Sequence, residues 1–360
     1  MRWAKSLPPA RINLARSGVE LCPASLLGAG PRDVVIQHPP GYGWPPLKEA
    51  LGRRYRVSPE WVYPVSGGTS FATWLACVAA LDGGGRGGGE VIVERPTYEH
   101  LLRIPQALGC RVRRLERRFG DGYAIDLERF ASRINRRTRL AIVSNLHNPS
   151  GARIDLATLR AMARMLRSVG AWLLVDEVYL ECLFGRRTDS SVHAGPNVIA
   201  TNSLTKAYGL DGLRAGWILG PRALIARAGR ANDLMTVNGV APGEHLSLLA
   251  LRRLGTVRRR ADGFLLGGLG RVRRFLVREP RLQAVMPPGG NVVFPRLPRG
   301  VDADRLHRHL LREYSTLVVP GRMFEAPRHI RISFGLRPGR LASGLRNISR
   351  ALDDLGAEAE

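Results

Sequence analysis

Residues 201–217 read TNSLTKAYGLDGLRAGW, with a lysine, Lys206, followed eight positions later by an arginine, Arg214. Of the 55 basic residues in this 360-residue chain, three are lysines: Lys5, Lys48 and Lys206. A chain that uses arginine wherever a plain positive charge would serve needs a reason for lysine here. An amine withdrawn from water loses its proton readily and can bond to an aldehyde as a Schiff base, which a guanidinium cannot. Lys206 follows a predicted buried strand and the polar run Thr201, Asn202, Ser203, Thr205, and Gly209, Gly212 and Gly216 permit close backbone approach. Arg214 can present a planar fork to a phosphate. These neighbours weigh against an ordinary surface lysine.

Working outward, residues 197–202 (NVIATN) and 216–219 (GWIL) read as strands, as do 90–94 (EVIVE), 140–145 (LAIVSN) and 171–176 (AWLLVD). Helical periodicity covers 70–81, 98–108 and 155–169, the last opened by Asp155 as N-cap. Near-continuous apolar strands between helices predict an α/β fold with a mostly parallel sheet covered on both faces. After residue 221 the pattern changes to helices at 223–234 and 246–274, the second broken at 267–270. Short strands in VVFPRL, TLVVP and HIRISFG then alternate with helices at 303–314 and 341–355. The expected organisation is an N-terminal segment 1–40 packing with a small domain, a large domain 41–240, and a small C-terminal α+β domain 241–360. The first 40 residues are Pro-rich and expected to wrap over other parts.

A hydrophobic content of 44% builds a real core, and no apolar run approaches the roughly 20 residues that span a bilayer. The N-terminus lacks the apolar stretch of a secretory signal, and Pro8 and Pro9 break any amphipathic transit helix. The net charge of +25 raises nucleic-acid binding. However, the arginines are spread along the whole chain, no zinc finger, RNP-type motif or basic zipper is present, and the runs around Arg113–Arg118 and Arg258–Arg260 read as solvated faces. Weak, salt-sensitive attraction to polyanions is expected, without a specific nucleic-acid or membrane partner. Cys22, Cys77, Cys110 and Cys182 lack CxxC spacing, which suits buried reduced thiols in a cytoplasmic protein and neither a metal site nor a disulfide framework.

Three further stretches carry candidate chemistry. SNLHNPSG (144–151) stands at the C-terminal end of a predicted parallel strand, the edge where open α/β sheets bind ligands, and its turn leaves Asn148 able to point an amide at one; taken alone, it reads as simple turn chemistry. LLVDEVY (173–179) places Asp176 at a strand end, where a carboxylate is costly unless paired, solvated or functional. A protonated ring nitrogen of an aromatic cofactor would pair with it, and Tyr179 could reach a phenolate-like oxygen. SGGTS (66–70) precedes a helix and serves as an N-cap, an anion site, or both. By contrast, GGGRGGGE (83–90) matches G-x-G-x-x-G only formally, because it follows a helix and precedes a strand.

Together these pieces resemble the class I/II aminotransferases, fold-type-I enzymes that use pyridoxal 5'-phosphate (PLP). S-L-T-K-x-x-G-L-x-G-L-R-x-G-W is highly specific, and N-P-S-G, D-E-V-Y and R-I-S-F-G follow at family-like spacing, in order from about Gly41 to Gly335. The resemblance implies that Lys206 holds the cofactor's aldehyde and later moves a proton, while Asp176 pairs with the pyridinium nitrogen. Asn148 and Tyr179 would bond the ring oxygen and Tyr98 stack on the ring. Gly68, Thr69, Ser203 and Arg214 would hold the phosphate, and Arg331 grip the substrate α-carboxylate. Tyr42, in GYGWPPL, matches a tyrosine that family dimers lend to the neighbouring subunit's phosphate, which implies a homodimer with shared sites. The implied activity is ping-pong transfer of an amino group between an L-amino acid and a 2-oxo acid. A decarboxylase or lyase would use the same cofactor residues. A PLP-binding DNA-associated regulator would need a winged helix-turn-helix ahead of GYGWPPL, where about 40 residues stand. For a second, side-chain carboxylate the candidates are Arg322 in VVPGRMFE and Arg296 in VVFPRL.

Overall fold

A computed structural model describes residues 2–33, 35–37, 41–81, 89–184 and 189–356. The glycine-rich stretch 83–90 falls mostly outside them.

Twelve strands are formed in chain order among the described residues. β1 is Ile12–Asn13, β2 Val62–Ser66, β3 Glu90–Arg95, β4 Arg111–Glu116, β5 Thr138–Ser144 and β6 Trp172–Asp176. β7 is Val198–Ser203, β8 Ala215–Leu219, β9 Val292–Val293, β10 Thr316–Leu317, β11 Val319–Pro320 and β12 Ile330–Ser333. The large sheet runs β2-β8-β7-β6-β5-β3-β4. β8 is antiparallel to both its neighbours, and the remaining pairings are parallel.

Alternation along the strands builds two cores. Leu140, Ile142, Leu174 and Ile199 face the helices Thr69–Leu81 and Arg222–Asp233 through Ala72, Leu75, Ala76 and Leu224. Ala141, Val143, Leu173 and Val175 face the other way, onto Leu159, Met162 and Leu166 of the helix Leu156–Arg167. Asp155 caps that helix as expected, its Oδ1 accepting from the Thr158 N–H at 2.7 Å. A sheet buried on both faces exposes only its strand ends to ligands. Register brings Ser144, Asp176 and Thr201 side by side at the C-terminal ends of β5, β6 and β7.

Two expectations are corrected. The long helical pattern after residue 240 breaks at Arg253, between Ala241–Arg252 and Leu254–Arg278, and not at its glycines. The second helix runs unbroken through 267–270, where Gly268 packs directly against Phe334. The basic run around Arg113–Arg118 is not a solvated face. Its first part is edge strand β4, and Arg117 is completely buried, its Nη1 donating to Glu94 Oε2 at 2.7 Å. Arg258 likewise is half-buried against Asp262.

The C-terminal part adds a small antiparallel sheet, β11-β12-β9, with the helices Ala303–Tyr314 and Pro338–Asp354. The N-terminal segment does wrap over other parts: β1 pairs in parallel with β10, and Val19 N–H donates to Lys206 O at 3.1 Å. Among the described residues, no helix is long and apolar enough to cross a membrane. All four cysteines are free thiols; Cys77 and Cys182 are buried, Cys22 and Cys110 partly so.

Candidate active site

Lys206 sits in a single helical turn, Thr205–Tyr208, directly after β7. Gly209 ends the turn at φ +69°, and a Cβ there would lie 2.2 Å from Glu20 O, so a larger residue would push away the N-terminal segment. The far side of the turn is pinned through Tyr208. Its Oη donates to Glu181 Oε2 at 2.5 Å, and that carboxylate also accepts from Tyr55 Oη at 2.6 Å and Arg54 Nε at 3.1 Å. Burial, helped by Arg331, pulls the Lys206 amine down to about 8. The amine that the sequence singled out is thus neutral much more often than an exposed lysine.

Two cavities meet at Lys206. One, of about 140 Å³, is lined by Gly68, Thr69, Asn148, Asp176, Tyr179 and Arg214. The other, of about 290 Å³, is lined by Arg16, Asp211, Val319, Met323, Phe324 and Arg331. Ser17, Tyr98, Thr205 and Lys206 border both.

The smaller cavity has an anion-binding end and an acidic end. At the first, the N–H groups of Gly67 and Gly68 donate to Arg214 O at 2.7 and 2.8 Å, and Arg214 Nη2 donates back to Gly67 O at 2.6 Å. This brackets the loop that leads into the 13-residue helix Thr69–Leu81, whose first-turn N–H groups and dipole favour an anion. At the other end, Asp176 Oδ1 accepts from the Val178 N–H at 3.0 Å. Burial pushes its carboxyl up to about 7, so an ionised Asp176 needs a cation beside it. In cofactor-free protein the native carboxyl holds its proton up to about 7, whereas the unfolded one releases it near 3.8. Stability therefore falls as pH rises through that window. Asp176→Asn is expected to stabilise cofactor-free protein at pH 8 by up to roughly 4 kcal/mol, with the gain shrinking as pH falls toward about 4. Denaturant melts at several pH values check this; a gain independent of pH would refute it.

Asn148 links the two cavities. Its Oδ1 accepts from Arg331 Nη1 at 3.0 Å, leaving its amide NH₂ as a donor. Its backbone N–H donates to Ser144 Oγ at 3.0 Å. Ser144 is itself held by Glu94, whose Oε1 accepts from the Ser144 N–H at 2.7 Å and Oγ at 2.5 Å. Arg117 completes the chain, with Nε donating to Tyr123 O at 2.6 Å. His147 beside it is a satisfied core histidine, placed between Ser150 Oγ and Pro96 O and kept neutral by burial.

Of the residues picked from sequence, Gly68, Thr69, Tyr98, Asn148, Asp176, Tyr179, Lys206, Arg214 and Arg331 converge on these cavities. Ser203 stands behind the lining, its Oγ accepting from Thr69 Oγ1 at 2.9 Å. Tyr42 lies away from them, exposed, with Oη donating to Asp233 Oδ2 at 3.0 Å. Neither candidate second arginine lines the cavities. Arg322 pairs with Asp304 at 2.6 Å, and Arg296 lies over the Phe119 ring. The second arginine that does line the larger cavity, beside Arg331, is Arg16, which the sequence reading missed. Also missed were Ser17, Thr73 and His100, while Ser70 lay in the stretch 66–70 read as a helix cap or anion site. Thr205, next to the lysine, was legible only as part of a polar run.

PLP fits these residues. Thr205 Oγ1, beside Gly68 at the anion end, is buried with no hydrogen-bond partner among the described residues, burial raises the pKa of the Asp176 carboxyl at the other end, and the Lys206 amine of lowered pKa borders the same cavity.

Comparison with known proteins agrees. The family model for aminotransferase class I and II matches residues 35–348. The chain is 31% identical to capreomycidine synthase of Streptomyces vinaceus, over 97% of this chain and 91% of that protein. It is 31% identical to the arginine–pyruvate transaminase AruH of Pseudomonas aeruginosa, over 76% and 71%. A PLP-dependent aminotransferase from Streptococcus suis superposes with a TM-score of 0.88 at 26% identity, covering 97% of this chain and 95% of that one.

Proposed function

The chain belongs to the class I and II aminotransferases, enzymes that transfer an amino group between an amino acid and a 2-oxo acid using PLP, and from that premise we propose a role for each residue of the site. The observation that carries the assignment is the convergence of Lys206, Asp176 and Arg331 on two cavities that share a wall.

Bound PLP supplies an electron sink that stabilises charge at the substrate's α-carbon. Lys206 would hold the cofactor's aldehyde through Nζ and, when free, would move a proton at the substrate's α-carbon. Asp176 would pair with the ring nitrogen and keep it protonated. Tyr179 and Asn148 would donate to the ring oxygen, and Tyr98 would cover a ring face. Gly68, Thr69 and Arg214 would hold the phosphate, with Ser203 orienting Thr69. Arg331 grips the α-carboxylate through two parallel hydrogen bonds, its plane set by Asn148 and by Ala15 O, which accepts from Nη2 at 3.0 Å.

The same proposal makes the protein a cytoplasmic homodimer, in which Tyr42 offers its hydroxyl to the neighbouring subunit's phosphate. Its support is a set of exposed apolar side chains, Tyr42, Leu234, Met235, Val237 and Val240, the last with its N–H donating to Ser66 Oγ at 2.8 Å beside the loop that leads to the phosphate end. It also divides the chain into an N-terminal segment 1–40, a large PLP-binding domain 41–240 and a small domain 241–360.

Transfer is tested by isolated half-reactions. An amino donor is expected to convert bound PLP to its pyridoxamine form and release one equivalent of 2-oxo acid. No conversion with any common amino acid would refute it. The experiment also separates the alternative of a decarboxylase or lyase on the same fold, which would consume substrate while leaving the cofactor in its aldehyde form.

A further inference from the structure

The larger cavity is close to the smallest volume that ligand sites usually have, enough for one amino acid with a side chain of moderate length. Arg331 and Lys206 account for the substrate's carboxylate and amine. What remains for the side chain is an apolar wall of Leu7, Val319, Met323 and Phe324, and beside it two opposite charges, Arg16 and Asp211. Glu99, the remaining charged residue of the lining, is exposed.

Arg16 and Asp211 come from different parts of the chain. Arg16 lies in the N-terminal segment, on a turn where Asn13 Oδ1 accepts from the Ala15 and Arg16 N–H groups, both at 3.0 Å. Asp211 opens the short helix Asp211–Leu213 between Lys206 and Arg214. The two meet through a single contact, Arg16 Nη2 to Asp211 Oδ2 at 3.4 Å, with side chains 31% and 43% exposed. One long, half-exposed contact is weak, because water screens the charges and solvates either partner once they part. Both charges also act electrostatically on Lys206, Asp211 raising its pKa and Arg16 lowering it, so they lie within reach of the reacting end.

A two-half-reaction enzyme must pass two different side chains through one cavity. A fixed cation would repel a cationic donor and a fixed anion would repel a dicarboxylic acceptor. A weak pair of both signs serves each in turn. We infer that Arg16 and Asp211 form the distal side-chain reader of the substrate cavity. Asp211 accepts from the amino or guanidino group of a cationic amino acid, and Arg16 binds the distal carboxylate of a dicarboxylic 2-oxo acid. The inference rests on the proposed role of Arg331.

Equilibrium binding tests it without turnover. Three inert carboxylates are titrated calorimetrically into the PLP-bound protein: 5-guanidinopentanoate, glutarate and hexanoate. Wild type is expected to bind both charged ligands more tightly than hexanoate. Asp211→Asn is expected to weaken 5-guanidinopentanoate about tenfold, and Arg16→Gln to weaken glutarate about tenfold, with hexanoate shifting less than about twofold in each. Equal effects on all three ligands, no effect on the charged ones, or a wild-type preference for hexanoate would overturn the inference. Wild type that binds none of the three would instead remove the α-carboxylate role of Arg331, and this inference with it.

Discussion

Lys206→Ala protein is expected to fold and to accept PLP only loosely, because the phosphate, ring and carboxylate contacts survive while the covalent one is gone. Borohydride treatment of the wild type should fix the cofactor on the protein and raise the mass of the peptide containing Lys206. The variant should show no such peptide and no visible band of lysine-bound cofactor. Amino-group transfer should fall by at least about 10³-fold, because the group that moves the proton is removed with the anchor. A variant that kept the band would mean that the cofactor is held elsewhere. Arginine at this position should be no better than alanine, since a guanidinium retains its proton and cannot bond to the aldehyde.

Glu94→Ala should be the most destabilising single change near the site. It leaves Arg117 fully buried without its counter-charge, a loss of roughly 3–5 kcal/mol. It also frees Ser144, which orients Asn148, so substrate affinity should fall even in molecules that remain folded. Replacing both partners, as Glu94→Gln with Arg117→Met, should recover much of the stability because no charge stays stranded. Denaturant midpoints with unchanged slope check the first claim. If the single variant melts like wild type, the ion pair contributes nothing.

Much of the site was readable because its residues are chemically expensive where they stand. A lysine in a chain of arginines and a carboxylate ending the apolar strand 172–176 each cost stability without a ligand to justify them, whereas Asn148, at home in its turn after β5, was singled out by its place at a strand end. Local pattern likewise captured the parallel strands and the Asp155 cap. What escaped depends on partners far away in sequence. Arg117 looks like any other member of a basic run until Glu94, on the neighbouring strand, buries it. Arg322 and Arg296 stood near recognisable strands and drew attention, while Arg16 reached the cavity only because Ile12–Asn13 pairs with residues from the far end of the chain. The break at Arg253 escaped because glycine weakens a helix only modestly and is kept where close packing repays it, as Gly268 does against Phe334.

The pairing of β1 with β10 also sets an order of events during synthesis. Arg11 N–H finds its acceptor, Ser315 Oγ, 304 residues later. At ordinary elongation rates that is a wait on the order of 15–60 s. The strands and helices that supply the phosphate end and Asp176 have emerged by residue 219, so the cofactor cavity, all but its Ser17 border, can take shape while the nascent chain is still growing. The substrate cavity cannot, because Ala15, Arg16 and Ser17 wait for a partner strand that has not yet been made. Residues 15–17 are thus made long before the strand that places them, and they close the wall against which the substrate is read.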